Sequence, residues 1–355
     1  MMINPDAPAS PAPTAPLEPL ETHAEWRARD IANRDLWTYR LTEADVGELE
    51  AALAHAKALR ADVLDITRDD FPLPTLAATI SQFETELIDG RGFQLISGLP
   101  AERYTDADAS AIYWGIGTHL GNPWPQNKHG HLLGDVTDQG RKPNDPTARG
   151  NELGPIALAY HSDGSDLVGL MCLRKALSGG LSTVANAVLA HNEMVRTRPD
   201  LAAVLYQPMI YDYRGEQEPG TSPTYEMPIF TRHRAGPGER LFVRYIRKYI
   251  DSARRHPGVP AVTPMQREAF DLLDQMCLDP DFNVRMDLQP GDMQFINNYH
   301  VLHGRTAFED HPDPGRKRFL KRLWLQTRKL TDRPRHFQLG GSAKGWWARQ
   351  RTKAS

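Results

Sequence analysis

Beyond Gly121 the apolar residues of this chain fall in short runs: Ile156 to Tyr160, Val168 to Leu173, Leu241 to Tyr245, Val284 to Leu288, Met293 to Ile296 and Phe319 to Leu325. Each is shorter than the roughly 10 to 12 residues a packed helix needs, so they read as strands. In Gln289-Pro290-Gly291-Asp292, proline presets φ at the second position and glycine supplies the positive φ needed at the third. This type II turn is expected to join two antiparallel strands. Helical signals come earlier in the chain. Thr42 and Asp45 resemble a capping box, and Val46, Leu49, Leu53 and Ala56 recur at helical spacing, predicting a helix over 42–60. Further helices are expected over 75–89 and 105–121, with a glycine-bounded strand between Gly92 and Gly98. Early helices followed by short strands imply an α+β chain with an antiparallel sandwich or barrel at its centre, and not alternating βαβ units.

Prolines at 5, 8, 11, 13, 16 and 19 deny the backbone its donors, so residues 1–25 read as an extended Pro/Ala-rich tail. Residues 26–330 read as a single domain. Residues 331–355 form a basic tail in which Trp346 and Trp347 are expected to dock on that domain. A formal net charge of −3 gives no field to hold nucleic acid or an anionic membrane. No apolar run approaches a bilayer span, and Cys172 and Cys277 form neither a disulfide framework nor a thiolate metal site. A cytoplasmic protein is expected, and the sequence leaves open a homo-oligomer.

With 13 His and 28 Asp, chance alone supplies about one His-x-Asp, so local structure has to decide. Side chains two residues apart share a face on a strand but diverge by about 200° on a helix. His23-Ala-Glu25 borders the tail, His191-Asn-Glu193 has a helical pattern, and His311-Pro-Asp313 lies in a polar turn. His161-Ser-Asp163 directly follows an apolar strand and can project two ligands together. A third ligand is available from His300 or His303, after another strand. Two imidazoles and a carboxylate on one face of a metal leave adjacent positions open, the arrangement of non-haem Fe(II) oxygenases. The competing metal site is of the cupin type, with His129, His131 and His303 beside Asp135, although His129 and His131 lie in a polar loop. A jelly-roll binding protein without catalysis is the other alternative.

The segment PGDMQFINNYHVLHGRTAFED, followed by RKRFLKRLWL, resembles the Fe(II)/2-oxoglutarate dioxygenases of the taurine dioxygenase and clavaminate synthase-like superfamily. The resemblance runs from near Gly92 to about Leu325. It implies a double-stranded β-helix, or jelly-roll, with flanking helices. It implies Fe(II) held by His161, Asp163 and His303, with O2 and 2-oxoglutarate as cosubstrates. It also implies that Arg318 pairs with the far carboxylate of 2-oxoglutarate, helped by Ser182 or its neighbour Thr183. A buried carboxylate suits arginine, which stays charged and offers a planar fork of donors. The implied activity is hydroxylation or desaturation of a small anionic molecule, with release of succinate and CO2. Arg322, four residues beyond Arg318 and on the same strand face, is the candidate for the substrate's anion. Asn127 aligns with a substrate-facing stretch, and Arg305 is expected to brace the distal loop.

Overall fold

Thr42 accepts from the Asp45 amide while the Asp45 carboxylate takes the Thr42 amide, so the expected capping box starts helix α1, Glu43–Ala58. Such a cap is worth about 1 kcal/mol. Helices α2, Leu76–Ile88, and α3, Asp106–Leu120, form where the sequence places them. The computed structural model describes residues 17–338, apart from 143, 144, 146, 147, 236 and 237.

The expected strands assemble into two principal sheets, except Leu241 to Tyr245, whose strand Gly238–Val243 pairs with Phe230–Ala235 in a separate hairpin. The larger runs in the order Thr38–Arg40, Phe93–Ser97, Met293–Asn297, Leu167–Arg174, Phe319–Gln326 and Asn122–Pro123, with Leu133–Val136 also pairing on Phe319–Gln326. The smaller runs Asn283–Met286, Ser182–Asn186, Val301–Arg305, Leu158–His161, antiparallel throughout. Between them lies an apolar layer of Val168, Cys172, Ile296, Leu320 and Trp324 from one sheet and Val184, Met286 and Val301 from the other. Residues one position out of phase, such as Leu323, Leu325, Ala185 and Leu302, belong to a second core shared with the helices. Burying a Leu or Val in this way stabilises the fold by roughly 1.5 to 3 kcal/mol.

Three expectations need correction. The turn at 289–292 forms, with the Asp292 amide on the Gln289 carbonyl at 2.9 Å and Gly291 at φ +90°. It does not close a hairpin: Asn283–Met286 pairs within the smaller sheet and Met293–Asn297 within the larger, so the turn carries the chain between sheets. Helices also do not stop at Gly121. Helices α4, Ala187–Thr197, α5, Pro199–Leu205, α6, Arg247–Ala253, and α7, Pro264–Leu278, lie between the strands Ser182–Asn186 and Asn283–Met286. The signal of α7 was present, since Thr263 and Gln266 form a capping box and Ala269, Phe270, Leu273 and Cys277 bury one face of it. Third, the stretch expected as a tail up to residue 25 packs against the domain from Leu20 onward. Leu20 and Ala24 are buried, and the Asn192 side chain of α4 pairs with both the amide and the carbonyl of Leu20.

At the other end, Phe337 is buried against Phe242 and Tyr299, and Arg333 pairs with buried Asp166. Residues 1–16, and Trp346 and Trp347, lie outside the described residues. No helix among the described residues is long and apolar enough to cross a membrane.

Candidate active site

His161 ends its strand opposite His303, the two being Cα partners in the smaller sheet. Their rings lie 4.3 Å apart between centroids, and His303 Nε2 is 3.8 Å from Asp163 Oδ2. One ligand atom from each of His161, Asp163 and His303 lies within 4.8 Å of the other two, close enough to hold one metal ion. Among the described residues this is the one group of three His, Cys, Asp or Glu side chains with that property.

The protein fixes each member separately. His161 Nδ1 is 2.8 Å from the Ala159 carbonyl. A carbonyl only accepts, so Nδ1 carries the proton and Nε2 keeps its lone pair for a metal. Asp163 is held through its backbone: its amide donates to Asn298 Oδ1 at 3.0 Å, and Arg244 donates to the Asp163 carbonyl. Its Oδ2 accepts from Trp324 Nε1 at 3.0 Å and faces Arg322 Nη1 at 3.3 Å. Burial works to raise the Asp163 pKa, but the charges of Arg322, the two histidines and Arg149 outweigh it, and the carboxyl sits well below the usual range. Burial, helped by neighbouring His161, pushes His303 down to about 3, so its imidazole is neutral and available as a ligand.

Arg322 lies in the strand Phe319–Gln326, in phase with Leu320 and Trp324, and contacts Asp163. Arg318 directly precedes that strand, whose register shifts between Phe319 and Leu320. Arg318 is only 6% exposed, stacks over Phe308 at 5.3 Å, and leaves Nη1 buried without a partner. Ser182 faces between the sheets, where Oγ donates to Gln294 Oε1 at 2.7 Å. Its neighbour Thr183 faces the helical side, beside Tyr160, so Ser182 is the one of the pair turned toward Arg318.

Arg322 meets a different environment. Its Nε donates to Gln126 Oε1 at 2.7 Å, and Nη2 lies 3.4 Å from Asn151 Oδ1, in addition to the Asp163 contact. The charge expected to need a substrate anion is therefore answered within the protein. Asn127 is also spent locally: it is part of an exposed turn, and Oδ1 accepts from the amides of His129 and His131. Its predecessor Gln126 is the residue that reaches the site. His129 and His131 have ring centroids 5.9 Å apart in that same turn, and Asp135 pairs with Lys321 across the sheet, so the cupin-type set is not assembled. His300 is buried elsewhere, its Cβ packed beneath Gly92. His311 precedes a single helical turn capped by Asp313.

Sequence reasoning missed Gln126, Asn151, Arg244, Asn298 and Trp324. Trp324 had a signal, since alternation from Arg318 through Leu320 and Arg322 reaches it. Asn151 comes from the single helical turn Gly150–Glu152 and Arg244 directly follows the strand Gly238–Val243, where spacing carries no register.

Two facts suit a metal and an anionic cosubstrate: three convergent ligand atoms, and a buried guanidinium nitrogen with no hydrogen-bond partner. Residues 50–324 match the profile of the taurine catabolism dioxygenase TauD, TfdA family. The chain is similar to FR-33289 synthase of Streptomyces rubellomurinus, 31% identical over 304 residues, covering 84% of this chain and 88% of the relative. Among solved structures, it shares its fold with an asparagine oxygenase in complex with Fe(II), 2S,3S-3-hydroxyasparagine and succinate, with a TM-score of 0.63 and 19% identity over 84% of this chain and 97% of that one. The non-heme iron oxygenase OrfP in complex with Fe and alpha-ketoglutaric acid superposes with a TM-score of 0.60, at 18% identity over 81% of this chain and 93% of that one.

Proposed function

The chain belongs to the TauD/TfdA family of dioxygenases, and we propose that within it His161, Asp163 and His303 hold the iron, Arg318 and Ser182 hold 2-oxoglutarate, and the substrate is a small anionic molecule. The protein is an Fe(II)- and 2-oxoglutarate-dependent oxygenase using O2. The two facing sheets are read as the jelly-roll of that family. A reducing, cytoplasmic setting fits two free buried cysteines. When bound, iron would activate O2, one oxygen atom of which oxidises the oxo acid to succinate and CO2 while the other serves to oxidise a C–H bond of the substrate.

The single observation that carries this reading is the pairing of the triad with an unpartnered, buried Arg318 Nη1. The chain's own residues then divide the work. His161 and His303 offer ring nitrogens to the metal, the first oriented by the Ala159 carbonyl. Asp163 supplies the negative charge, and Trp324 and Arg322 hold its outer oxygen so that the carboxylate keeps one orientation. Arg318 offers a charge-assisted pair to a carboxylate at the far end of the cosubstrate. An intact carboxylate ligand favours hydroxylation or desaturation over halogenation, for which that coordination position would have to be vacated. Arg149, whose guanidinium lies over the Trp324 ring at 5.9 Å and within electrostatic reach of Asp163, pairs with Glu216 at 3.6 Å, so like Arg322 it already has an acidic partner and does not by itself call for an anionic substrate.

The test is anaerobic titration of Fe(II)-loaded protein with 2-oxoglutarate, followed by its metal-to-ligand absorption, and then a screen of amino acids, sulfonates and organic phosphates for perturbation of that band and for succinate release. A band lost in Asp163→Ala, and anions among the compounds that trigger succinate release, are expected. A band unaffected by Asp163→Ala would reject the ligand assignment, and turnover triggered solely by cationic or neutral compounds would reject the anionic substrate.

A further inference from the structure

Arg305 completes the His-Gly-Arg sequence after His303, and the register of the smaller sheet sets it directly across from Ser182. It is 7% exposed. Its Nη2 donates to the carbonyls of Gly154 and Ile156 at 2.9 and 2.8 Å, which is the loop-bracing role its position suggested. That role uses only part of the guanidinium: Nε is buried without a partner.

The group also has an unusual neighbour. The Arg305 guanidinium lies over the Phe308 ring at 4.7 Å, and Arg318 lies over the same ring at 5.3 Å. Two buried cations thus share one aromatic ring. Gly180, at φ +69°, closes this corner so tightly that a Cβ would lie 3.1 Å from Arg318 Nε and 3.3 Å from the Phe308 Cβ. No ion pair within 4.0 Å joins either arginine to an acid among the described residues. The nearby acids are Asp138, whose Oδ1 takes the Gly140 amide, and Asp310, whose Oδ1 takes the amides of His311 and Arg318 and whose buried Oδ2 acts on Arg318 through its charge but makes no hydrogen bond to it. Desolvating two like charges side by side is costly unless an anion joins them.

From this arrangement we infer that Arg305 is a second cation for the far carboxylate of the cosubstrate, so that Arg305 and Arg318 together make the site selective for 2-oxo diacids over 2-oxo monoacids. The inference rests on the proposed cosubstrate end of the site and adds to it a residue that selects between oxo acids. A purely bracing Arg305 would affect every oxo acid alike, because loop order does not depend on what the far end of the ligand carries. A charge-reading Arg305 would affect only ligands that present an anion there.

The experiment compares 2-oxoglutarate with 2-oxopentanoate, which has the same chain length and ends in a methyl group. Both are titrated anaerobically against Fe(II)-loaded protein by the charge-transfer band, a readout that needs no turnover. The ratio of the two affinities is expected to fall about tenfold or more in Arg305→Met, and to stay within about threefold of the unmodified protein in Arg305→Lys, which keeps the charge but not the two-carbonyl fork. An unchanged ratio in Arg305→Met, with both affinities lowered equally, would overturn the inference and leave Arg305 a loop brace. A ratio lowered as far in Arg305→Lys as in Arg305→Met would overturn it as well. Absence of the band in the unmodified protein would sink the proposed site itself, an outcome distinct from either.

Discussion

Arg318 and Arg322 stand four residues apart, one directly before the strand Phe319–Gln326 and one within it, and the protein treats them in opposite ways. Arg322 is answered on all sides, by Gln126, Asn151 and Asp163. Arg318 stacks on Phe308 and leaves Nη1 bare. Burial lowers the pKa of both, so desolvation alone does not separate them. What separates them is the counterion. A buried cation whose partners are already in place belongs to the scaffold of the metal end, and one without partners is a receptor for a charge that arrives with a ligand.

The largest expected effect is at the shared anion. Asp163→Ala should lower Fe(II) affinity by about a hundredfold or more and bring succinate release to background, while circular dichroism shows an intact fold. The same substitution strips Arg322 of its counterion, so Asp163→Ala with Arg322→Gln should unfold at a higher temperature than Asp163→Ala alone. Equal or lower stability of the double variant would mean that Arg322 is not balanced by Asp163.

Next comes the unpartnered arginine. In Arg318→Leu the incoming carboxylate is left buried and unpaired, at a cost of roughly 3 to 5 kcal/mol. At about 1.4 kcal/mol per tenfold, 2-oxoglutarate affinity should fall on the order of a hundredfold or more, with Fe(II) affinity unchanged. Arg322→Gln should produce the reverse pattern: 2-oxoglutarate affinity within about threefold of the unmodified protein, and weaker Fe(II) binding and weaker substrate response in the same titration. If both variants lost 2-oxoglutarate equally, the contrast between the two arginines would be false.

How far the sequence discloses this contrast depends on which physics carries it. The period of two along a strand put Arg322 in phase with Leu320 and Trp324, and the strand before His161 made its pairing with Asp163 possible. Both depend on residues close in the chain. Whether a buried charge has a partner depends on residues that are far away: Gln126 and Asn151 reach Arg322 across separations of 196 and 171 residues. No local pattern encodes such contacts, and the sequence argument therefore gave Arg322 a ligand it does not need. The same reasoning explains the turn at 289–292. Its residues specify the φ of Gly291, but which sheet each flanking strand joins is decided by Ser182–Asn186 and by Leu167–Arg174. Of the helices after α3, α4 is legible in the helical pattern around His191 and α7 in its capping box, whereas α5 and α6 have no side-chain cap to mark them.

The smallest expected effect marks the boundary of the site. His311→Ala should leave Fe(II) and 2-oxoglutarate affinities unchanged, since His311 lies in the turn before Pro314–Arg316 and outside the group of three. A clear loss of iron binding would show that this loop contributes to the metal.

The most direct test is an anaerobic crystal of the protein with Fe(II) and 2-oxoglutarate, measured for anomalous scattering at the iron edge. The account expects one strong peak bounded by His161 Nε2, an Asp163 carboxylate oxygen and His303 Nε2, with the far carboxylate of the oxo acid against Arg318. A peak at His129 and His131, or an oxo acid whose far carboxylate pairs with Arg322 while Arg318 stays bare, would contradict it.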